Sequence, residues 1–407
     1  CDMQDRLARL VANWGYRDPD ELLTKHLREA GCDPSHPRIR SFASLWTRIQ
    51  DLPRHLGQHS GGMVIAAGRL DDVVPLEPAT MPGRVVVQWD KDDCAGLGII
   101  KIDLLGLGMM SVLQDSLTLV RETGGDVDLG RLPPDDPAVY RSLQQADTIG
   151  VFQVESRAQM ATLPRILPER FYDLVVQVAI IRPGPIVGEM VHPYIRRRRG
   201  REPVTYPHPS LEPILRRTLG VPLFQEQLLR IAMTAAGFTA TEAEELRRAF
   251  GFKRSERLMA DVEARLRAGM ARQGIQGTAA EDIVRSITSF ALYGFPESHS
   301  ASFALLAYAS AYLKVHYPAA FYTALLNNQP MGFYHPATLV KDAQRRGVRF
   351  NPIDVQVSDW DCAVEGDGAV RLGLRYVRGL RADAGQTIAK IEGKSQQAQT
   401  ASRCPKC

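Results

Sequence analysis

The sequence predicts an α+β protein in which a short strand-bearing segment precedes a large, mainly α-helical one. Three observations predict it. Between residues 55 and 108 the chain takes strand character: Gly61-Gly62 precedes Met63-Val-Ile-Ala66, the β-branched run Val85 to Val87 precedes Trp89, and Gly98-Ile-Ile-Lys-Ile-Asp-Leu-Leu-Gly-Leu107 alternates. From residue 109 to about 345 the apolar spacing is helical. Phe350 to Arg378 then returns to short strands, with Gly366-Asp-Gly368 as a turn between Cys362-Ala-Val and Val370-Arg-Leu. The chain's 407 residues, 44% of them hydrophobic, can bury substantial cores and suggest about two to three domains.

Residues 1–54 read as helical. Leu7, Leu10 and Val11 share one helical face, and Leu22, Leu23 and Leu27 follow the start signal Asp18-Pro-Asp-Glu. In the strand at 100–104, Ile100, Ile102 and Leu104 point one way while Lys101 and Asp103 point the other, their Cα atoms roughly 7 Å apart. An ammonium beside a carboxylate suits a phosphate next to a metal ion, and equally an ordinary salt-bridged pair on a half-exposed strand. Asp90, Asp92 and Asp93 read as solvated turn residues. In the helical part, Thr241-Glu-Ala-Glu244 has the form of a capping box, which places Thr241 at a helix start and Leu246, Arg247 and Arg248 on the second turn. Ser298 is the expected N-cap of a later helix that Pro318 ends, and Tyr308 and Tyr312, four apart, read as core.

The net charge of +4 is small for this length, but its distribution is uneven. From Val191 to Arg217 seven arginines, Arg196 to Arg199 among them, face only Glu202 and Glu212, a local excess of +5. Clustered guanidinium groups suit a phosphate backbone or, failing that, form a solvated loop. The weakly charged stretch Ser298 to Val315 is broken by serines, tyrosines and Lys314, so it reads as a buried helix and not a membrane span. The opening Cys1-Asp-Met-Gln-Asp-Arg lacks a signal peptide's basic start and apolar run, and a start on cysteine is expected of a fragment. Six scattered cysteines show no disulfide framework, which fits a reducing cytoplasm. Cys404-Pro-Lys-Cys407 has the spacing of half a zinc site with no second pair nearby. The tail at 381–407 reads as disordered.

A series of ordered blocks carries a resemblance. His55-Leu-Gly-Gln-His-Ser-Gly-Gly-Met-Val-Ile-Ala66, Val85 to Asp93 and the Lys101 strand are followed by Gly150-Val-Phe-Gln-Val-Glu-Ser156, Ile181-Arg-Pro-Gly-Pro185 and Phe224-Gln-Glu-Gln227. Leu246-Arg-Arg-Ala249 and Phe295-Pro-Glu-Ser-His-Ser300 complete it. From about residue 40 to about 380 the series resembles the alpha subunit of polymerase III, the bacterial C-family DNA polymerase. Replicative members carry Asn-Lys before the Ser-His, whereas Pro296-Glu297 stands here and resembles the error-prone, damage-tolerant paralogue.

The resemblance implies the end of a thumb over 1–54, the second half of a nucleotidyltransferase-type palm over 55–108 and fingers over 109–349. A small strand-rich region over 350–380 would lead to a helix-hairpin-helix region missing from this chain. It further implies template-directed DNA synthesis from deoxynucleoside triphosphates on a primed template, in replication and repair of damage, with two Mg²⁺ ions and a sliding clamp in the full-length protein. Asp103 would be the third catalytic aspartate and a metal ligand, Lys101 a phosphate contact in the same cleft. The first two aspartates are expected in a Pro-Asp-x-Asp strand before residue 1, so the chain alone would be inactive. A non-catalytic nucleic-acid or nucleotide-binding remnant is the rival reading. Arg247 and Arg248 lie about 100° apart on a helix, so at most one aims at a triphosphate while the other pairs with Glu244. His299, in the first turn of its helix, would add a donor to a bound phosphate, with Ser298 and Ser300 beside it. Arg196 to Arg199 would contact DNA; Gln153 and Arg182 lie next to the nucleotide or serve rigid turns.

Overall fold

The computed structural model describes residues 27–28, 31–48, 61–89, 91–181, 188–252, 256–291 and 295–391. The chain divides into two compact units, Cys1–Leu105 and Gly106–Cys407. The expected helical faces at Leu7 to Val11 and at Leu22 and Leu23, the His55 to Ser60 end of its block, Asp90, Arg182 and the Cys404 and Cys407 pair lie outside the described residues.

In the first unit helix α1 spans Pro37–Arg48. Proline at the first helical position suits its fixed φ, and Ile39, Ala43 and Trp46, spaced at one helical face, pack on buried Leu27 and Cys32. Strand β1 (Gly62–Ile65) is followed by β2 (Leu76–Pro78), β3 (Val85–Val87), helix α2 (Lys91–Gly96) and β4 (Ile100–Asp103). The β1 and β4 strands pair antiparallel in the register Gly62 with Asp103, Met63 with Ile102, Val64 with Lys101 and Ile65 with Ile100. The β2 and β3 strands form a separate antiparallel pair. Asp92 and Asp93, expected in a turn, belong to α2 instead.

In the second unit α3 (Leu107–Glu122) buries Met109, Val112, Leu113, Ser116 and Val120, the stripe of a helix packed on one side. After it come α4 (Pro137–Gln144), α5 (Arg157–Ile166), α6 (Phe171–Ile180) and α7 (Gly188–Arg198). They are followed by the short α8 (Glu212–Leu215), then α9 (Gln225–Ala236), α10 (Ala240–Phe252), α11 (Glu256–Arg272) and α12 (Thr278–Ala291). Helix α13 (Glu297–His316) is lined with small and apolar residues on every side, buries Phe303, Ala304, Ala307, Tyr308, Ala311 and Leu313, and packs on α6 and on α14 (Pro318–Asn327). Pro318 starts α14, where its missing N–H is harmless, and so ends α13 as expected. Helices α9 to α12 enclose a second core around Leu228, Ile231, Leu246, Leu266 and Ile287. Gly269 lets α11 approach α9 closely, because a Cβ there would stand 2.3 Å from the Ala236 carbonyl. After α15 (Pro336–Arg345), strands β5 (Phe350–Asn351), β6 (Ala363–Val364) and β7 (Val370–Arg371) form a small sheet in the order β5, β7, β6, with the Gly366-Asp-Gly368 turn between β6 and β7. Helix α16 spans Ala382–Ala389, within the expected tail.

Two helix starts differ from expectation. The reciprocal cap of α10 is made by Thr239 and Glu242, not Thr241 and Glu244: Glu242 N–H donates to Thr239 Oγ1 at 3.3 Å, and Thr239 N–H donates to the Glu242 carboxylate at 2.9 Å. Gly237, at φ 67, ends α9, so the chain re-enters a helix at once. Pro296, not Ser298, is the N-cap of α13, and Ser298 lies inside its first turn. Among the described residues no helix is long and apolar enough to cross a membrane.

Candidate functional site

Antiparallel pairing puts Lys101 directly across from Val64 and Asp103 across from Gly62, so all four residues share one face of the ribbon. Lys101 is exposed. The opposite face carries Met63, Ile65, Ile100 and Ile102, all exposed: a two-stranded ribbon cannot bury both its faces by itself. Among the described residues no three His, Cys, Asp or Glu side chains group as a metal site would require. Two hard cations need several carboxylate oxygens.

Arg247, Arg248, Ser298 and His299 belong to the second unit. Arg247 grips Glu244 on the same helix through Nε and Nη2, the latter at 2.7 Å. Arg248 follows it on α10. His299 stands in the first turn of α13 with its ring between Phe295 and Phe303, at centroid distances of 5.2 and 4.2 Å. Phe303 in turn meets Phe152 edge-on, and Gln153 beside it adopts a left-handed backbone with φ 64, a strained conformation for a non-glycine residue. Ser298 is exposed, whereas Ser300 is buried and donates to the Val175 carbonyl at 2.6 Å, fastening α13 to α6. Tyr308 is core as expected, its hydroxyl accepting from Asp136 N–H and donating to the Pro133 carbonyl.

The first turn of α13 is held by partners that sequence reasoning did not find. Gln225 N–H donates to the Phe295 carbonyl at 3.0 Å, and Glu297 N–H donates to the Glu226 carboxylate at 3.0 Å, joining the starts of α9 and α13. The Tyr172 hydroxyl donates to Glu297 Oε1 at 2.8 Å, and the Arg217 guanidinium lies 3.6 Å above the Tyr172 ring. Burial, then the Glu297 carboxylate, hold the Tyr172 phenol above its ordinary pKa, so it remains a donor. Only the departure at Pro296-Glu297 marked this spot in the sequence, since Tyr172 and Arg217 are 125 and 80 positions away from Glu297.

The arginine row is divided among internal acceptors. Arg196 and Arg197 share Glu202, at 2.7 and 3.0 Å, and Arg197 also donates to the Leu219 carbonyl at 2.8 Å. Arg198 meets Asp173 at 2.6 Å and donates to the Ile166 and Leu167 carbonyls. Arg199 donates to the Pro164 and Arg165 carbonyls. Together Arg198 and Arg199 satisfy the orphan carbonyls at the C-terminal end of α5, where the helix dipole also favours a cation. Arg197 is therefore a tether and Arg198 a cap, while Arg196 keeps about half its side chain, 51%, in solvent.

Comparison with known proteins follows the same division. Residues 1–106 match the model of the bacterial DNA polymerase III alpha NTPase domain, and residues 109–274 that of the bacterial DNA polymerase III alpha subunit finger domain. A helix-hairpin-helix motif model matches residues 347–402. That match falls on residues read from the sequence as a strand-rich region and a tail, so the helix-hairpin-helix region expected beyond the chain is matched within it. An error-prone DNA polymerase of Methylococcus capsulatus is 50% identical, over 98% of this chain and 40% of the relative. Those of Alkalilimnicola ehrlichii and Pseudomonas aeruginosa are 51% and 49% identical, over 96% and 95% of this chain and 38% of each relative. The chain thus spans about two fifths of the length of the relatives it matches.

Proposed function

The chain belongs to the bacterial DNA polymerase III alpha family, and from that premise we propose that it contributes to error-prone, template-directed DNA synthesis. The reaction is nucleotidyl transfer from a deoxynucleoside triphosphate to a primer 3′ hydroxyl on primed template DNA. The identity of about one half with polymerases named error-prone, along nearly the whole chain, is the observation that carries this reading. Asp103 is the proposed metal ligand and Lys101 the proposed phosphate contact. Arg248, His299 and Ser298 are the proposed triphosphate contacts, with Arg247 paired to Glu244 and joining them only by exchanging that partner. Arg196 and Arg199, the more exposed of the four, are the proposed contacts to the DNA backbone. Mg²⁺ is the proposed ion, a sliding clamp the proposed accessory partner and the cytoplasm the proposed setting. Since the described residues do not complete a two-ion site, no catalytic step is assigned to a metal on them.

The test is single-turnover incorporation on a primed template, with a parallel binding measurement. The 407-residue chain is expected to bind the template and leave the primer unextended, because phosphoryl transfer rests on positioning and charge neutralisation that one aspartate does not provide. In a polymerase of the relatives' full length carrying this chain, Asp103→Asn is expected to bind DNA normally and to lose the chemical step by several orders of magnitude. Near-normal incorporation by that variant would reduce Lys101 and Asp103 to an ordinary strand pair.

A further inference from the structure

We propose that the cleft beside the stacked Tyr172 and Arg217 is a seat for an unpaired nucleobase that bears an exocyclic amino group. The inference rests on the nucleic-acid reading above and adds a site to it. The cleft has a volume of about 390 Å³, and Phe171, Val175 and Ala301 form its apolar wall. That is the low end of the range for small-molecule sites, roughly 300–1,000 Å³, and suits one base. A second cleft of about 440 Å³ adjoins it through the shared residues Arg170, Tyr172 and Arg217.

The platform is built in advance. The Arg217 guanidinium lies 3.6 Å over the Tyr172 ring and 3.6 Å from Glu297, while 65% of its side chain stays in solvent. The cation thus rests on the phenol ring while most of its side chain is exposed, and an exposed guanidinium plane stacks a base as an aromatic ring does. Charge excludes a bare phosphate as the preferred ligand. The guanidiniums of Arg198 and Arg217 already face Asp173, at 2.6 Å, and Glu297, at 3.6 Å, and Arg170 stands among Asp135 and Glu169. A neutral planar ring with N–H donors on its edge meets this balance, because Glu297 and Asp135 are among the residues lining the cleft, and carboxylates accept from a base amino group.

The experiment measures binding of the whole chain to labelled oligo(dC), oligo(dT) and an abasic oligomer of equal length, with dCMP as competitor. Oligo(dC) is expected to bind better than the other two, and Arg217→Met to cost about tenfold on oligo(dC) with no change on the abasic strand. Glu297→Gln replaces an acceptor by an amide and is expected to move the preference from cytosine toward thymine, a swap that mere unfolding cannot produce. Displacement by dCMP would identify free nucleotides as an occupant, and its failure to compete would assign the seat to strands alone; either requires the base preference. Equal binding of oligo(dC) and the abasic strand, or an unchanged preference in both variants, overturns the seat. If primed duplex is still bound in that case, the polymerase reading stands without it; if no DNA is bound at all, both fall.

Discussion

Replacing Lys314 with methionine tests how helix α13, which carries Ser298 and His299, is held in place. Lys314 is fully buried, and its ammonium donates to Asp147 Oδ1 at 3.0 Å, the Ile149 carbonyl at 2.9 Å and Asp342 Oδ2 at 3.0 Å, so all three donors are used. Arg346 also meets Asp147, and the Tyr322 hydroxyl donates to Asp342. Two cations and two carboxylates balance. Methionine matches the stem of the lysine but leaves Asp342, whose side chain is 7% exposed, with a buried charge and no facing ammonium. Removing one partner from such a pair costs about 3–5 kcal/mol, which for the unit Gly106–Cys407, at about 2.1 cal/mol/K of unfolding entropy per residue, is roughly 5–8 °C in Tm. Thermal unfolding of the full chain, followed by circular dichroism, measures it. The double variant Lys314→Met, Asp342→Leu is expected to recover much of the loss, since an apolar pair replaces an orphaned charge. Arg131→Ala breaks a pair with Asp128 that is 87% and 60% exposed and is expected to change nothing measurable. A loss below about 1 kcal/mol for Lys314→Met, the size of a surface ion pair, would refute the buried-network argument.

Burial raises the Glu155 carboxyl to about 7, against the opposing pull of the Gly150 N–H and Lys314. The folded state then holds a proton that the unfolded state releases near 4.5, so this contribution to stability is full below about 4.5 and is lost as pH rises through 7. Glu155→Gln is expected to flatten that decline in a series of melting curves from pH 4 to 8, and an unchanged slope would place the cause elsewhere. Arg198→Ala is expected to lower stability by about 1–3 kcal/mol, because Asp173 and the end of α5 lose their donor; chemical denaturation reads it. Arg196→Ala with Arg199→Ala is expected to weaken DNA binding alike for unrelated sequences and to reduce the salt slope by about 0.7–0.9 for each phosphate no longer neutralised. A slope equal to that of the parent chain would leave these arginines as surface residues.

What the sequence makes legible here is local. The strand at Ile100–Asp103, the stop at Pro318 and the turn at Gly366-Asp-Gly368 follow from spacing and from single-residue stereochemistry, and each stands where it was expected. The cap of α10 shows the limit of such rules: Thr239 and Thr241 each precede a glutamate by three positions, and the left-handed Gly237 decides between them. The ribbon's pairing partner and its exposed apolar face are likewise properties of register, which a lone strand does not carry.

Charge is where a sequence misleads most, because a cluster of like residues shows how many ions there are and not which acceptors the fold brings to them. Arg198 and Arg199 find carbonyls 31 to 35 positions back along the chain, Lys314 finds carboxylates 167 and 28 positions away, and Glu297 finds Tyr172 at a separation of 125. Each partner lies where helix packing puts it. Glu297 thus does more than add one negative charge, since the carboxylate ties the first turn of α13 to Tyr172 on α6 and stands beside Arg217. A lysine at that position would keep neither bond and would repel Arg217. Glu297→Lys is therefore expected to loosen the helix start that bears His299 before it strengthens any grip on phosphate, which a lower melting temperature by circular dichroism would show.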